Sequence, residues 1–246
     1  MLPRPYPRLH CLLILSALWA CNARAESSPD ALKDPPRESF LILPLHVHVL
    51  SCADREDLNC KLTDDDVTRI AGKINRIWHK AGIHFRLQPI LHEKAAHVKE
   101  FTQKPADPAA ANALGEYRQL APADSKSLPG LHVYYIHQFG VNGVYLGGTT
   151  CFVRETAKLR PVEGGIDEPL PRVTSHELGH SLGLPHRQNV TNLRASGNNG
   201  TKLNEAETAI ARAKAGKLEG VMTMEQCEKA AKEDEALKKE LDGIGK

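Results

Sequence analysis

The sequence predicts an α+β fold, and two observations make that case. Between residues 45 and 87 a strand pattern, a helix pattern and a second strand pattern follow in turn, while the last third of the chain is spaced as helices. Leu45, Val47 and Val49 alternate with His46 and His48, the period of a strand with one buried face. A polar loop over 51–62 leads to Thr63, a helix N-cap, followed by Asp64, Asp65 and Asp66 on the first turn, where the helix dipole favours negative charge. Val67, Ile70, Ile74, Ile77, Trp78 and Ala81 then recur at helical spacing, and Gly82 is a natural stop. Ile83, Phe85 and Leu87 alternate as a second strand, and a strand–helix–strand run predicts a parallel pair with a right-handed connection.

The stretch 92–129 is rich in alanine, proline and charge and reads as a helix or loop excursion. Leu131, Val133 and Tyr135 mark a third strand. Asn142-Gly143 is a turn, and 144–153 supplies one or two further strands broken at Gly147-Gly148. Residues 155–169 form a loop before a helix opened by Pro169 or Pro171, positions where proline costs little. The chain is Asn- and Gly-rich from 187 to 200. Two helices then close it, over 203–215 and 223–241, the second opened by a Thr223/Gln226 capping box and carrying a solvated charged face.

The N-terminus reads as an export signal over residues 1–25. Arg4 and Arg8 form a positive region, an apolar run follows from Cys11 to Ala20, and Ala23-Arg24-Ala25 is a small-x-small cleavage site. That run is too short for a permanent membrane span. Plain secretion, or release to a periplasm, ranks above lipoprotein anchoring at Cys21, because Trp19 is bulky where a lipoprotein box carries a small residue. Cleavage leaves 221 of 246 residues: a Pro-rich lead-in (26–38) and one domain (39–246), with an upper part to residue 183 and a lower part from 184. The formal charge of +2 includes Arg4, Arg8 and Arg24, so the mature chain carries −1 and offers no basis for nucleic-acid binding. Four cysteines remain, an even number in an exported chain, which predicts two disulfides. Cys52 and Cys60 flank one short loop, so Cys52–Cys60 and, by elimination, Cys151–Cys227 are the expected pairs.

The chemistry is concentrated in 176–186, which reads HELGHSLGLPH. His176 and His180 lie four apart, so a helix places both on one face, about 5–6 Å apart at Cβ, where two imidazoles can share one metal ion. Gly183 can take a positive φ, end the helix and return His186 as a third ligand. Three neutral imidazoles suit one Zn2+ and leave a fourth position for water and substrate. Glu177 is placed to accept the proton of a zinc-bound water, the arrangement expected for peptide-bond hydrolysis.

At His176, Glu177, His180, Gly183 and His186 the sequence resembles the metzincin clan of zinc peptidases, whose signature is H-E-x-x-H-x-x-G-x-x-H. The resemblance covers about 40–224. It implies a twisted, mostly parallel sheet with an antiparallel edge strand, two helices above a cleft, and a small, mainly helical C-terminal subdomain. It also implies a protein or peptide substrate added as a strand along that edge, with 148–153 as the expected segment. The clan carries a methionine on a tight turn beneath the metal. Here 192–194 resembles such a turn but has Arg194 in the methionine position, and Met222 is the other candidate. A guanidinium below a zinc ion would be repelled, so Arg194 is expected to point outward.

The remaining histidines (His46, His48, His84, His92, His97, His132 and His137) read as surface or strand-face residues and Trp78 as core, while for Tyr135 and Tyr145 packing ranks above lining a cleft. Asn189 and Asn199 head glycosylation sequons that matter only in a glycosylating host. Two competing functions stand beside the peptidase: a zinc-binding pseudopeptidase that recognises protein through the same cleft, and a zinc site completed by a distant glutamate, which His186 makes unnecessary.

Overall fold

The computed structural model describes residues 32–102, 114–138, 140–162, 165–166 and 168–244. The expected export signal, Cys21 and the start of the lead-in lie outside the described residues.

The first strand, β1 (Leu41–Ser51), is the axis of the sheet. Helix α1 (Asp64–Trp78) follows, and its start is the expected one: Thr63 and Asp66 satisfy each other's backbone N–H groups in a capping box. Gly82, at φ 62°, turns the chain into β2 (Ile83–Leu87), which pairs in parallel with β1. Next comes a short strand, β3 (Leu91–Lys94), that the sequence did not suggest; it extends the same side of β1 beyond the end of β2. Two single-turn helices, α2 (Leu114–Tyr117) and α3 (Ala123–Lys126), precede β4 (Leu131–Ile136), which lies parallel to the other side of β1.

The strands β5 (Gly143–Tyr145) and β6 (Thr150–Arg154) complete a sheet of order β2-β1-β4-β6-β5, parallel throughout except at β5–β6. This corrects one expectation. The segment 148–153 falls largely in β6, an interior strand bonded on both sides, and the antiparallel edge is 143–145. Gly143 is therefore the first residue of the edge strand and not only part of a turn.

Helix α1 and helix α4 (Pro169–Ser181) cover one sheet face, closing a core of Leu45, Val47, Val133 and Val153 against Ile70, Ile74, Val173 and Leu178. Because the opposite face is also covered, by Tyr117, Leu120 and Phe101 over Tyr134 and Phe152, all six residues of β4 are buried. His48 and His132 are fully buried on that second face. His48 Nδ1 bonds Glu93 at 2.7 Å, His48 Nε2 meets His132 Nδ1 at 3.0 Å, and His132 Nε2 bonds the Leu128 carbonyl at 2.8 Å. They are strand-face residues, as expected, yet none of the pair is at the surface.

The C-terminal region is helical. Helix α5 (Glu205–Ala215) has an Asn204 capping box, and a two-residue strand, β7 (Met222–Thr223), pairs antiparallel with the start of β1. The single closing helix expected over 223–241 is two, α6 (Met224–Ala230) and α7 (Glu235–Asp242). Asp234 restarts the helix by accepting the Leu237 N–H at 3.0 Å, which turns Leu237 and Leu241 onto Cys227, Ala231 and Phe40. No described helix is long and apolar enough to cross a membrane.

The expected disulfides are not formed: Cys52, Cys60, Cys151 and Cys227 are free thiols. The Cys60 thiol donates to Glu155 at 3.0 Å, and burial raises its pKa. Cys151 sits inside the core under α1 and α4, whereas Cys227 belongs to the separate cluster beneath α6 and α7, so elimination paired residues from two different cores.

Candidate metal centre

Helix α4 is buried on nearly every side, and packing holds it in place. Pro169 opens it with φ already helical, and Glu168, just before it, forms ion pairs with Arg69 and Lys73 of α1. Midway along, Thr174 and Tyr135 of β4 share a hydrogen bond of 2.8 Å. His176, Glu177 and His180 consequently project from a rigid element. Gly183, at φ 81°, then reverses the chain and brings back His186.

His176, His180 and His186 converge on one point. The Nε2 atoms of His176 and His180 each lie 3.2 Å from Nε2 of His186. Tetrahedral ligands at Zn–N distances of about 2.0–2.1 Å would stand about 3.3–3.4 Å apart, so the triad has the dimensions of a zinc site. The tautomer of His176 also fits. Its Nδ1–H donates to the Leu193 carbonyl at 2.8 Å, which leaves the Nε2 lone pair facing its partners. Burial, followed by the charge of Arg194, lowers the pKa of His176 to about 3 and of His180 to about 4, and lowers that of His186. All three are neutral at physiological pH, as metal ligands must be.

Glu177 points to the edge strand. Burial raises its pKa to about 8, against the opposing influences of Arg194 and of a hydrogen bond from the Tyr145 backbone. Val144 is bonded into the sheet opposite Phe152, so Gly143 and Tyr145 turn their backbone groups outward to the cleft. Gly143 leaves the space that Glu177 occupies: a Cβ there would meet Glu177 Cγ and Oε1 at 2.9 Å. The role of this glycine was not visible in the sequence, where Asn-Gly reads as a turn. Tyr145, ranked as a packing residue ahead of a cleft-lining one, stacks on the His180 ring with centroids 5.8 Å apart and forms a wall of the cleft. The cleft measures about 660 Å³ and runs from β5 across the triad to Ser196 and Gly197.

Beneath the triad the structure differs from expectation. Met222 is on β7, paired with Ile42, and lines a separate cavity beside Pro44 and His46. Arg194 holds the floor and points inward, fully buried. Its Nη1 donates to the His176 carbonyl, and its Nη2 is 2.6 Å from both ring nitrogens of His180, so it lies against the ring and not on one lone pair. The turn survives without methionine because Asn192 accepts the Arg194 N–H at 2.6 Å and itself donates to buried Glu207 at 2.8 Å. Glu207 also accepts from Arg187, the residue after His186, at 2.7 Å, tying the third histidine and the floor to α5. Glu207 is not singled out by any periodic pattern; its spacing of three from Asn204, a capping-box spacing, is the one signal that could have found it.

No family model and no curated protein matches the chain. Solved structures that resemble it include the following two. Archaemetzincin from Methanopyrus kandleri is 15% identical, with a TM-score of 0.47 over 74% of this chain and 99% of that one. Metalloproteinase-II from Bacteroides fragilis is 12% identical, with a TM-score of 0.42 over 76% of this chain and 56% of that one, so the chain spans little more than half of its length.

Proposed function

We propose that this chain is an exported zinc-dependent metallopeptidase acting on protein or peptide substrates. The observation that carries the reading is the convergence of three neutral imidazoles beside a buried carboxyl in a cleft bounded by an unpaired strand edge. His176, His180 and His186 would hold one zinc ion, which when bound supplies a Lewis acid for the scissile carbonyl and acidifies water. Export is supported by the composition of residues 1–25.

The chain's own residues supply the remaining chemistry. The outward backbone groups of Gly143 and the carbonyl of Tyr145 take the substrate backbone by strand addition, which aligns an extended peptide across the triad. Glu177, held by the Tyr145 backbone, accepts a proton from the attacking water at its carboxylate and returns it to the leaving amine. Its carboxyl is buried beside the triad, and burial favours its protonated form, so it is able to hold the proton between those two steps.

One observation favours a second reading. Arg194, buried against two of the three histidines, is the change expected of a cleft kept for recognition after catalysis is lost. Incubation of the purified protein with unstructured polypeptides, with and without a chelator, separates the two. The peptidase cleaves, the chelator stops it, and Glu177→Ala is inert; cleavage persisting in Glu177→Ala rejects the mechanism, and zinc binding without turnover supports the recognition module.

A further inference from the structure

We infer that Arg194 is a resident cation that weakens the triad's grip on a divalent ion, making this a loosely held, readily exchanged metal site. The inference rests on the reading of the triad as a zinc site. Three features place the guanidinium there by construction. Its backbone is fixed through Asn192 to the fully buried Glu207. Its side chain passes over α4 exactly where the helix has no side chain: a Cβ on Gly179 would meet Arg194 Cδ at 2.9 Å and Nη1 at 3.0 Å. Its end is divided between the His176 carbonyl and the ring of His180.

No described carboxylate is bonded to that charge, although Glu177 and Glu207 act on it through space. Of the nearby carboxylates, Glu207 is already bonded to Arg187, Asn192 and the Asn204 N–H, and Glu177 is directed to β5. Arg194 Nε has no partner among the described residues. A buried cation is screened much less than one at the surface, so its repulsion of a second cation is stronger there. Contact with the face of His180 also draws electron density from a ligand ring, which reduces its strength as a donor. Both effects have the same sign.

The test is zinc affinity, measured by competition with a chromophoric chelator, for the wild type and for Arg194→Met, Arg194→Gln and Arg194→Lys, with thermal unfolding as the check on folding. The glutamine variant keeps a donor for the His176 carbonyl should methionine not fold. The two neutral variants should bind zinc at least about tenfold more tightly and release it more slowly to excess chelator, since a unit charge this close exceeds that factor even at a high effective dielectric. Arg194→Lys, which keeps the charge and loses the fork, should stay close to wild type. Folded neutral variants with unchanged or weaker affinity overturn the inference alone. Absence of zinc binding in every protein overturns the zinc reading and the inference together.

Discussion

Replacing Gly143 with alanine should damage catalysis while sparing the metal. The added methyl would stand 2.8 Å from Val173 Cγ1 and 2.9 Å from both Cγ and Oε1 of Glu177. Carbon atoms settle at about 3.5–4.0 Å, so the two surfaces must separate by close to 1 Å. Helix α4 is pinned by Thr174 to β4 and by Glu168 to α1, so it is β5 and the Glu177 carboxyl that yield. Overpacking of this kind costs about 1–3 kcal/mol of stability, and a misplacement of about 1 Å at a reacting group costs about 100-fold in rate. The assay is kcat/KM on a quenched peptide, alongside zinc content and urea unfolding. The three atoms nearest the added methyl belong to Val173 and Glu177 and not to a histidine, so zinc should remain at one equivalent. Full activity with unchanged stability would refute the packing of Glu177 on Gly143. Lost stability with full activity would refute the sensitivity of the reaction to Glu177.

Other outcomes follow from the same structure. Glu207→Ala removes the shared acceptor of Arg187, Asn192 and the Asn204 N–H, so it should cost about 3 kcal/mol in urea unfolding and loosen zinc; a loss below about 1 kcal/mol would contradict that network. His48, fully buried, has a pKa lowered to about 4 by burial. The unfolded chain therefore takes up the proton first as pH falls. The stability is complete above about pH 6.5 and lost toward pH 4, on the order of 3 kcal/mol. His48→Gln should flatten that acid slope between pH 7.5 and 4.5, and an unchanged slope would place the loss elsewhere. Unfolding without reductant should expose four reactive thiols from Cys52, Cys60, Cys151 and Cys227, and a reductant should leave the unfolding midpoint where it is; fewer thiols would restore a disulfide.

The parts legible in the sequence are those whose signal is local. Thr63, the apolar stripe of α1 and Gly82 mark that helix because one of its faces meets solvent, so burial is written as periodicity. Helix α4 is buried on nearly all sides and has no such contrast. It was legible only through the histidine spacing, which chemistry imposes. The antiparallel edge is not legible because β5 is three residues long, too short for alternation to show, and the four-residue β3 is hidden for the same reason. Arg194 was expected outside on electrostatic grounds. It is inside because Gly179 opens a passage along α4 and Asn192 fixes its backbone, contacts between segments that no local pattern records. The break between α6 and α7 depends likewise on Leu237 and Leu241 reaching the cluster around Phe40, a contact distant in sequence.

The central claim is that His176, His180 and His186 form one metal centre, and metal analysis of wild-type protein beside His186→Ala tests it most directly. After dialysis against trace zinc, the wild type should hold one equivalent and His186→Ala should lose most of it, both with the same unfolding profile in chelator. Near-normal zinc in His186→Ala, or none in the wild type at saturating zinc, would contradict the account.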